Sequence, residues 1–411
     1  MKSLKNGDQD VAHAIAGEVK RQKEGVELIA SENYVSDAVL DALGSVMTNK
    51  YSEGYPGRRY YGGQEFTDQV EILAQERLKK IFAAEHVNVQ PLSGANANMI
   101  VYSALLEPGD TVLGMDLGHG GHLTHGHPVT LSAQLYNFVR YTTTPSGKID
   151  YDALAALAHK HKPKMILAGF SAYSRNLDYK KFRRIADDVG ALLMMDMAHI
   201  SGLIAGGALA NPVPICDVVT STTHKSFRGP RAGMIFCKSE HAAAIDKALF
   251  PGFQGGPHMN NVAALAVAAG EALKPTFKTY AKKVIANAAT LEKELKKYGF
   301  HVCFGKTENH LLLIDTVKSK GMTGAEVETL LDAVGITLNK NMIPDDQCSA
   351  LDPSGIRLGT PAVTTRGMGA REMKKIARWI SDVCDYKDDP KELKRIAQEV
   401  KKMCKTFPLF K

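Results

Sequence analysis

Between about residues 65 and 240 the chain alternates helical apolar stripes with short, continuously apolar runs, and this pattern fixes the fold class. Phe182, Ile185, Ala186 and Val189 recur at i, i+3, i+4 and i+7, the stripe of a helix packed on one face, with Gly190 placed as its C-cap. The run 191–195 (Ala-Leu-Leu-Met-Met) follows at once. It does not alternate apolar with polar, as expected of a strand buried on both faces of a parallel sheet. The same reading predicts helices over 70–82, 96–106 and 151–160, and strands over 111–115, 164–168 and 218–223. Helices alternating with buried strands require an α/β domain in which helices cover a large, mostly parallel sheet.

The last third reads differently. A long charged helix over 276–297 leads to a strand at 311–315, a helix at 325–334, a strand at 356–358 and two terminal helices. This pattern predicts a small α+β unit. At 411 residues the chain is too long for one ordinary core. The expected division is an N-terminal arm and interface segment over 1–64, a large α/β domain over 65–280, and a small C-terminal α+β domain over 281–411. The segment Tyr51-Ser-Glu-Gly-Tyr-Pro-Gly-Arg-Arg-Tyr-Tyr-Gly-Gly gathers aromatics and glycines in a loop, which suggests binding more than linkage.

Composition excludes several classes. No apolar run is long enough to span a bilayer. The first residues lack a signal-peptide pattern, so no secretion is expected. Six scattered cysteines form no C-x-x-C pair, which argues against a disulfide framework or structural zinc and for a reducing cytoplasm. The net charge of +7 is concentrated at the C-terminal end, where residues 387–411 carry eight Lys/Arg against four Asp/Glu. No aromatics interleave with those charges. A solvated helix therefore fits better than a nucleic-acid surface, and a basic RNA-binding protein is set aside.

Lys225 is the unusual residue. It follows the β-branched run 218–223 and enters a Gly/Pro loop, Ser226-Phe-Arg-Gly-Pro-Arg. Asp196 closes the apolar run 191–195 on another strand. Ligands of doubly wound sheets sit beyond the carboxyl ends of strands, where both residues fall. A lysine amine able to form a Schiff base, and an aspartate able to keep a pyridine nitrogen protonated, are the two groups a pyridoxal phosphate (PLP) site needs. Ser93-Gly94-Ala95 opens the 96–106 helix with free N–H groups for a phosphate, and Gly255-Gly256 is a second loop that backbone could use to approach one. The stretch 118–127 holds four histidines at i, i+3, i+6 and i+8, which fits no standard zinc pattern, so no metal is expected. His122 is the choice for a ring stacked on an aromatic cofactor. Arg357 offers a planar fork for a substrate carboxylate, and Glu53 a proton donor or acceptor.

Together these segments resemble the serine hydroxymethyltransferases. The matching stretches include Leu28-Ile-Ala-Ser-Glu-Asn-Tyr, Thr48-Asn-Lys-Tyr-Ser-Glu-Gly-Tyr-Pro-Gly-Arg-Arg-Tyr-Tyr-Gly-Gly, Val112-Leu-Gly-Met-Asp-Leu-Gly-His-Gly-Gly-His, Asp196-Met-Ala-His-Ile, Thr222-Thr-His-Lys and Pro251-Gly-Phe-Gln-Gly-Gly-Pro. The resemblance implies an aspartate-aminotransferase-type fold, PLP on Lys225, and reversible transfer of the serine hydroxymethyl carbon to tetrahydrofolate, giving glycine. It implies that Asp196 pairs with the ring nitrogen, His122 stacks, His199 supports the ring oxygen, and Ser171 and Thr222 lie beside the cofactor. Arg357, Ser31 and Tyr61 would hold the substrate, and His224 would govern reaction specificity. Leu117, Gly121, Leu123, Asn341, Tyr60 and Glu53 match folate-contacting positions. Tyr51, Glu53, Tyr60, Tyr61, Gly255 and Gly256 would reach across a homodimer interface. Leu92, Ser174 and Phe227 depart from the usual pattern. A folate-independent enzyme resembling threonine aldolase is the alternative.

Overall fold

The computed structural model describes residues 2–410. Its main sheet has seven strands: β1 (His86–Asn88), β2 (Thr111–Met115), β3 (Asn137–Tyr141), β4 (Met165–Gly169), β5 (Leu192–Asp196), β6 (Val218–Thr222) and β7 (Gly233–Cys237). Their order is β1-β7-β6-β5-β4-β2-β3. Neighbours from β6 to β3 run parallel, and β7 is antiparallel to both β1 and β6. The fold class is therefore α/β with a large, mostly parallel sheet, as the alternation predicts.

The continuous apolar runs have a direct explanation. Along β4, Met165 and Leu167 face one core while Ile166 and Ala168 face another. Along β5, Met194 joins the first of these cores, and Leu193 and Met195 join the second. Each face is covered by helices, so both phases of the strand must be apolar. The principal helices of the chain are α1 (Gln9–Glu24), α2 (Glu65–Phe82), α3 (Gly94–Leu105), α4 (Tyr151–His161), α5 (Tyr179–Val189), α6 (Met259–Ala272), α7 (Pro275–Lys297), α8 (Ala370–Asp385) and α9 (Pro390–Thr406). The stripe Phe182, Ile185 and Ala186 is buried as its spacing requires. Asp178 caps the start of α5, and Gly190 ends it in the left-handed region at φ 69°.

Two boundaries differ from the sequence reading in ways that matter. Strand β6 stops at Thr222, because Thr223 turns to bond the β7 entrance through Ala232 and Pro230, leaving Lys225 in the turn beyond. Helix α2 begins at Glu65, five residues before its apolar stripe, where Glu65 and Asp68 suit the positive end of the helix dipole.

The smaller sheet contains β8 (His301–Val302), β9 (Leu311–Asp315), β10 (Asn339–Asn341) and β11 (Gly355–Gly359), in the order β8-β9-β11-β10 and antiparallel throughout. Its core also takes Val26 and Leu28 from the N-terminal segment, and Val26–Glu27 pairs in parallel with Ile336–Thr337. Helix α7 serves both units. Phe277, Tyr280, Ala281 and Val284 enter the large core, whereas Ala288, Leu291 and Leu295 enter the small one. No helix among the described residues is long and apolar enough to cross a membrane.

Candidate active site

A cavity of about 530 Å³ opens at the carboxyl ends of β4, β5 and β6. Its volume lies in the range of small-molecule sites. Each edge comes from a different element. The α3 entrance supplies Ser93, Gly94 and Ala95; the histidine-rich loop after β2 supplies Leu117, His122 and Leu123. Ser171 follows β4, Asp196 and His199 close β5, and Thr222, His224 and Lys225 follow β6. Arg357 arrives from β11 of the smaller sheet, and Ser31 from the N-terminal segment.

Lys225 is 9% exposed. Burial pushes its ammonium down to about 8, with Asp196 opposing and Arg357 and Arg231 assisting. The backbone oxygen of Lys225 accepts from Asn33 Nδ2 at 3.1 Å, which pins the loop without engaging the amine. Near neutral pH this amine is thus far closer to giving up its proton than an ordinary lysine.

Asp196 is also buried. Burial alone would raise its carboxyl, but the hydrogen bond and electrostatic pull of His125, the nearness of His122 and a hydrogen bond from Asn98 outweigh it, leaving the group well below the usual range. Asn98 Nδ2 donates to Oδ2 at 2.9 Å, His125 Nε2 lies 3.4 Å from the same oxygen, and the Ala198 N–H donates to Oδ1 at 3.0 Å. Gly169, at φ 129°, lies against it; a Cβ there would meet the Asp196 carbonyl oxygen at 2.4 Å. Donor atoms of His122, His125 and Asp196 gather within 4.8 Å. Asn98 and His125 already occupy the carboxylate, so the cluster is held together by hydrogen bonds.

Ser93 caps α3, accepting from Asn96 N at 3.2 Å. Among the described residues, the Gly94 and Ala95 N–H groups find no acceptor, so they face the cavity as an anion site at the positive end of a 12-residue helix. Gly94 is required by packing, since a Cβ would meet Thr222 Cγ2 at 2.7 Å.

The neighbouring histidines are neutral. Burial leads in each case, pushing His122 to about 4, His224 to about 3 and His199 well below its usual value. The ring of His122 bonds Thr124 Oγ1 at 2.8 Å, and His224 Nδ1 is buried without a partner. Arg357 donates from Nε to Asn339 Oδ1 at 3.1 Å and from one terminal nitrogen to the Ser171 carbonyl at 2.8 Å, leaving the other for a ligand. Ser171 Oγ in turn donates to the Gly121 carbonyl at 2.6 Å.

Gly121 and Asn341 do not line the cavity; Gly121 accepts from the cavity residue Ser171, and Asn341 lies on β10, paired with Gly355 of the Arg357 strand. Tyr51, Glu53, Tyr60, Tyr61, Gly255 and Gly256 lie apart from it. Tyr51 donates to Glu53 Oε1 at 3.2 Å, its ring meets Tyr61 edge-on at 5.0 Å, and Tyr60 leans on Phe250. A Cβ on Gly255 would come within 3.1 Å of Glu53 Oε1, and one on Gly256 within 3.6 Å of the Tyr51 ring. These residues form a second group, and Tyr51, Tyr60 and Tyr61 are exposed within one chain. The sequence reading missed Glu32, Phe170 and Arg231, which line the cavity, and Asn98 and His125, which hold Asp196. Arg231 could have been found in Arg228-Gly-Pro-Arg, and His125 in the histidine stretch.

A donor set of one easily deprotonated lysine, one firmly ionised aspartate, a helix N-terminus and a free guanidinium edge fits a phosphorylated pyridine aldehyde together with a carboxylate-bearing substrate. Fold and cavity thus define the class: α/β proteins with a buried, easily deprotonated lysine amine beyond the carboxyl ends of a mostly parallel sheet. The model of the family described as serine hydroxymethyltransferase matches residues 4–380. The chain is 55% identical over 409 residues to serine hydroxymethyltransferase of Koribacter versatilis, and 54% identical over 409 residues to that of Acidobacterium capsulatum. Each match covers 99% of this chain and 96% of the relative. The chain belongs to the serine hydroxymethyltransferase family.

Proposed function

We propose that this protein is a PLP-dependent glycine hydroxymethyltransferase, converting serine and tetrahydrofolate reversibly to glycine and 5,10-methylenetetrahydrofolate. The observation that carries the reading is the convergence of Lys225, Asp196 and Arg357 on one cavity, with the lysine pushed down to about 8. Bound PLP supplies an electron sink for breaking the serine Cα–Cβ bond. The Ser93–Ala95 turn would hold its phosphate, Asp196 a proton on its ring nitrogen, and His122 and His199 its ring. Arg357, with Ser31, would grip the substrate carboxylate. Lys225, neutral in a substantial fraction near pH 8, can accept and return protons at its Nζ.

Glu53 would move the proton of the serine hydroxyl, with folate seated against Leu117, Gly121, Leu123, Asn341 and Tyr60. In one chain Glu53 stands with Tyr51 and Gly255, outside the cavity. This placement supports a homodimer in which one protomer's Tyr51–Tyr61 loop and Gly255-Gly256 complete its partner's cavity, with Tyr61 on the substrate side. Six free cysteines support a reducing, cytoplasmic setting. The decisive assay is glycine release from serine with and without tetrahydrofolate. Release strictly dependent on folate supports the proposal; equal release without it favours the reading that resembles threonine aldolase.

A further inference from the structure

The segment after Val26–Glu27 does more than bring Ser31 to the cavity. Gly359 N donates to the Leu28 carbonyl at 2.7 Å, and a Cβ on Gly359 would meet Ala30 Cα at 2.7 Å, so the segment packs directly on the end of β11. Glu32 N donates to the Ile29 carbonyl at 3.0 Å, closing a turn that delivers Ser31 to the cavity. Ser31 and Arg357 thus belong to one tightly packed unit. Just beyond Ser31, the Asn33 amide leaves this unit and crosses to the Lys225 turn. Its Nδ2 donates to the Lys225 carbonyl at 3.1 Å and to Tyr280 Oη at 2.8 Å. Its Oδ1 accepts from Tyr34 N at 2.9 Å and from Thr365 Oγ1 at 2.7 Å. A side-chain amide has two donors and two acceptor lone pairs, and here every one is used. The amide can face only one way, because a backbone N–H only donates and a backbone carbonyl only accepts.

The turn that Asn33 grips is strained. Arg228 N donates to the Lys225 carbonyl at 3.1 Å, and Arg228 sits in the left-handed region at φ 61°, which a residue with a Cβ adopts at a cost. Its guanidinium lies over the Tyr280 ring at 4.4 Å and the Phe277 ring at 5.2 Å. Tyr280 Oη in turn donates to the Ser226 carbonyl at 3.1 Å. A strained turn keeps its shape only while its surroundings hold it. Among the described residues, Asn33 is the one partner of the Lys225 carbonyl from outside the turn. The oxygen of the same amide is tied to Thr365, which ends the short helix Pro361–Thr365 of the smaller unit. One side chain therefore connects the residue that carries the amine with the unit that offers Arg357 and Ser31 to a carboxylate.

We propose that Asn33 is a positioning residue: it fixes the spacing between the Lys225 amine and the groups that grip the substrate carboxylate. This role rests on the functional reading above, in which Arg357 and Ser31 hold that carboxylate and Lys225 Nζ accepts and returns protons. A substrate gripped at its carboxylate has its Cα at a set place, so the amine must arrive at a set place too. Misplacement by about 1 Å can cost on the order of a hundredfold in rate. Asn33 does not line the cavity. Its loss should therefore slow Lys225 and leave carboxylate binding nearly unchanged.

The test begins without turnover. Cofactor-free protein is mixed with PLP, and the absorbance of the aldehyde is followed as Lys225 bonds it. Asn33→Ala should slow this step roughly tenfold, the size of one hydrogen bond. Asn33→Asp keeps acceptors for Tyr34 N and Thr365 but turns an oxygen toward the Lys225 carbonyl. It should be slowed at least as much, even where its melting matches the parent's. Thr365→Val cuts the tie from the far side and should slow the step about threefold. The double variant Asn33→Ala/Thr365→Val should be no slower than Asn33→Ala alone, because both substitutions break one connection. In turnover with serine and saturating tetrahydrofolate, Asn33→Ala should lower kcat roughly tenfold and keep KM for serine within about threefold. Parent-rate bonding in Asn33→Asp, losses that multiply in the double variant, or a KM effect without a kcat effect would each overturn the proposal. If the bonding step behaves as expected but glycine release does not depend on folate, the functional reading fails and the positioning role stands.

Discussion

Replacing Lys225 by methionine should stabilise the cofactor-free chain while abolishing turnover. Methionine has similar length, no charge, and adapts to an irregular pocket. The gain comes from the cost of burying an ammonium. Lowering its pKa from the ordinary 10.5 to about 8 corresponds to roughly 3 kcal/mol, at about 1.4 kcal/mol per pH unit. The sign follows from proton uptake. Above pH 10.5 the amine is neutral in both the folded and unfolded chain, and burial costs nothing in protonation. As pH falls toward 8 the unfolded chain takes up the proton first, so stability drops; below 8 the full cost is present. Asp196 stays satisfied in the variant, since its bonds come from Asn98, His125 and the Ala198 N–H. The assay is urea unfolding of cofactor-free parent and Lys225→Met at pH 7 and pH 10. The variant's advantage should be about 3 kcal/mol at pH 7 and under about 1 kcal/mol at pH 10. An advantage that does not change with pH, or none at pH 7, would refute the argument that this amine is buried against its charge.

Three further outcomes follow from the geometry. Gly94→Ala pushes a methyl into Thr222 Cγ2 and displaces the α3 entrance, so PLP affinity should fall roughly tenfold by equilibrium dialysis while melting changes by about 1–3 kcal/mol. Arg357→Lys gives up the planar fork, so KM for serine should rise about tenfold or more with kcat changed by much less. Lys225→Ala and Glu53→Gln should each abolish folate-dependent serine cleavage, yet mixing and re-pairing their subunits should return roughly a quarter of parent activity, because half the dimers then contain one intact composite site. No recovery on mixing would place Glu53 and Lys225 in the same protomer's site.

Much of the fold was legible because its signals are local. The stripe 182, 185, 186 and 189 and the run 191–195 need only one helix and one strand to explain them. Lys225, Asp196 and Ser93-Gly94-Ala95 were legible for the same reason: strand ends and helix starts are local events, and the parallel sheet brings such ends together. What was not legible depends on contacts distant in the chain. Asn98 reaches Asp196 from the second turn of α3, and nothing around residue 98 announces it. His310 meets His199 across 111 residues. Val26–Glu27 is a two-residue strand, too short to show a period. The positions that depart from the family pattern have visible accommodations. Phe227 packs between Phe82 and Phe277, the Ser174 hydroxyl donates to the Lys306 carbonyl at 2.8 Å, and Leu92 remains partly exposed.

Helix α7 has a consequence for how the molecule comes apart. Its first half completes one core with Phe277, Tyr280 and Val284, and its second half completes the other with Leu291 and Leu295. Neither unit can lose this helix without opening its apolar interior, and a helix is itself cooperative along its length. Two regions that look separable by sheet and topology should therefore melt in one transition. The cavity, with walls from both units, would be lost in that same event and not gradually.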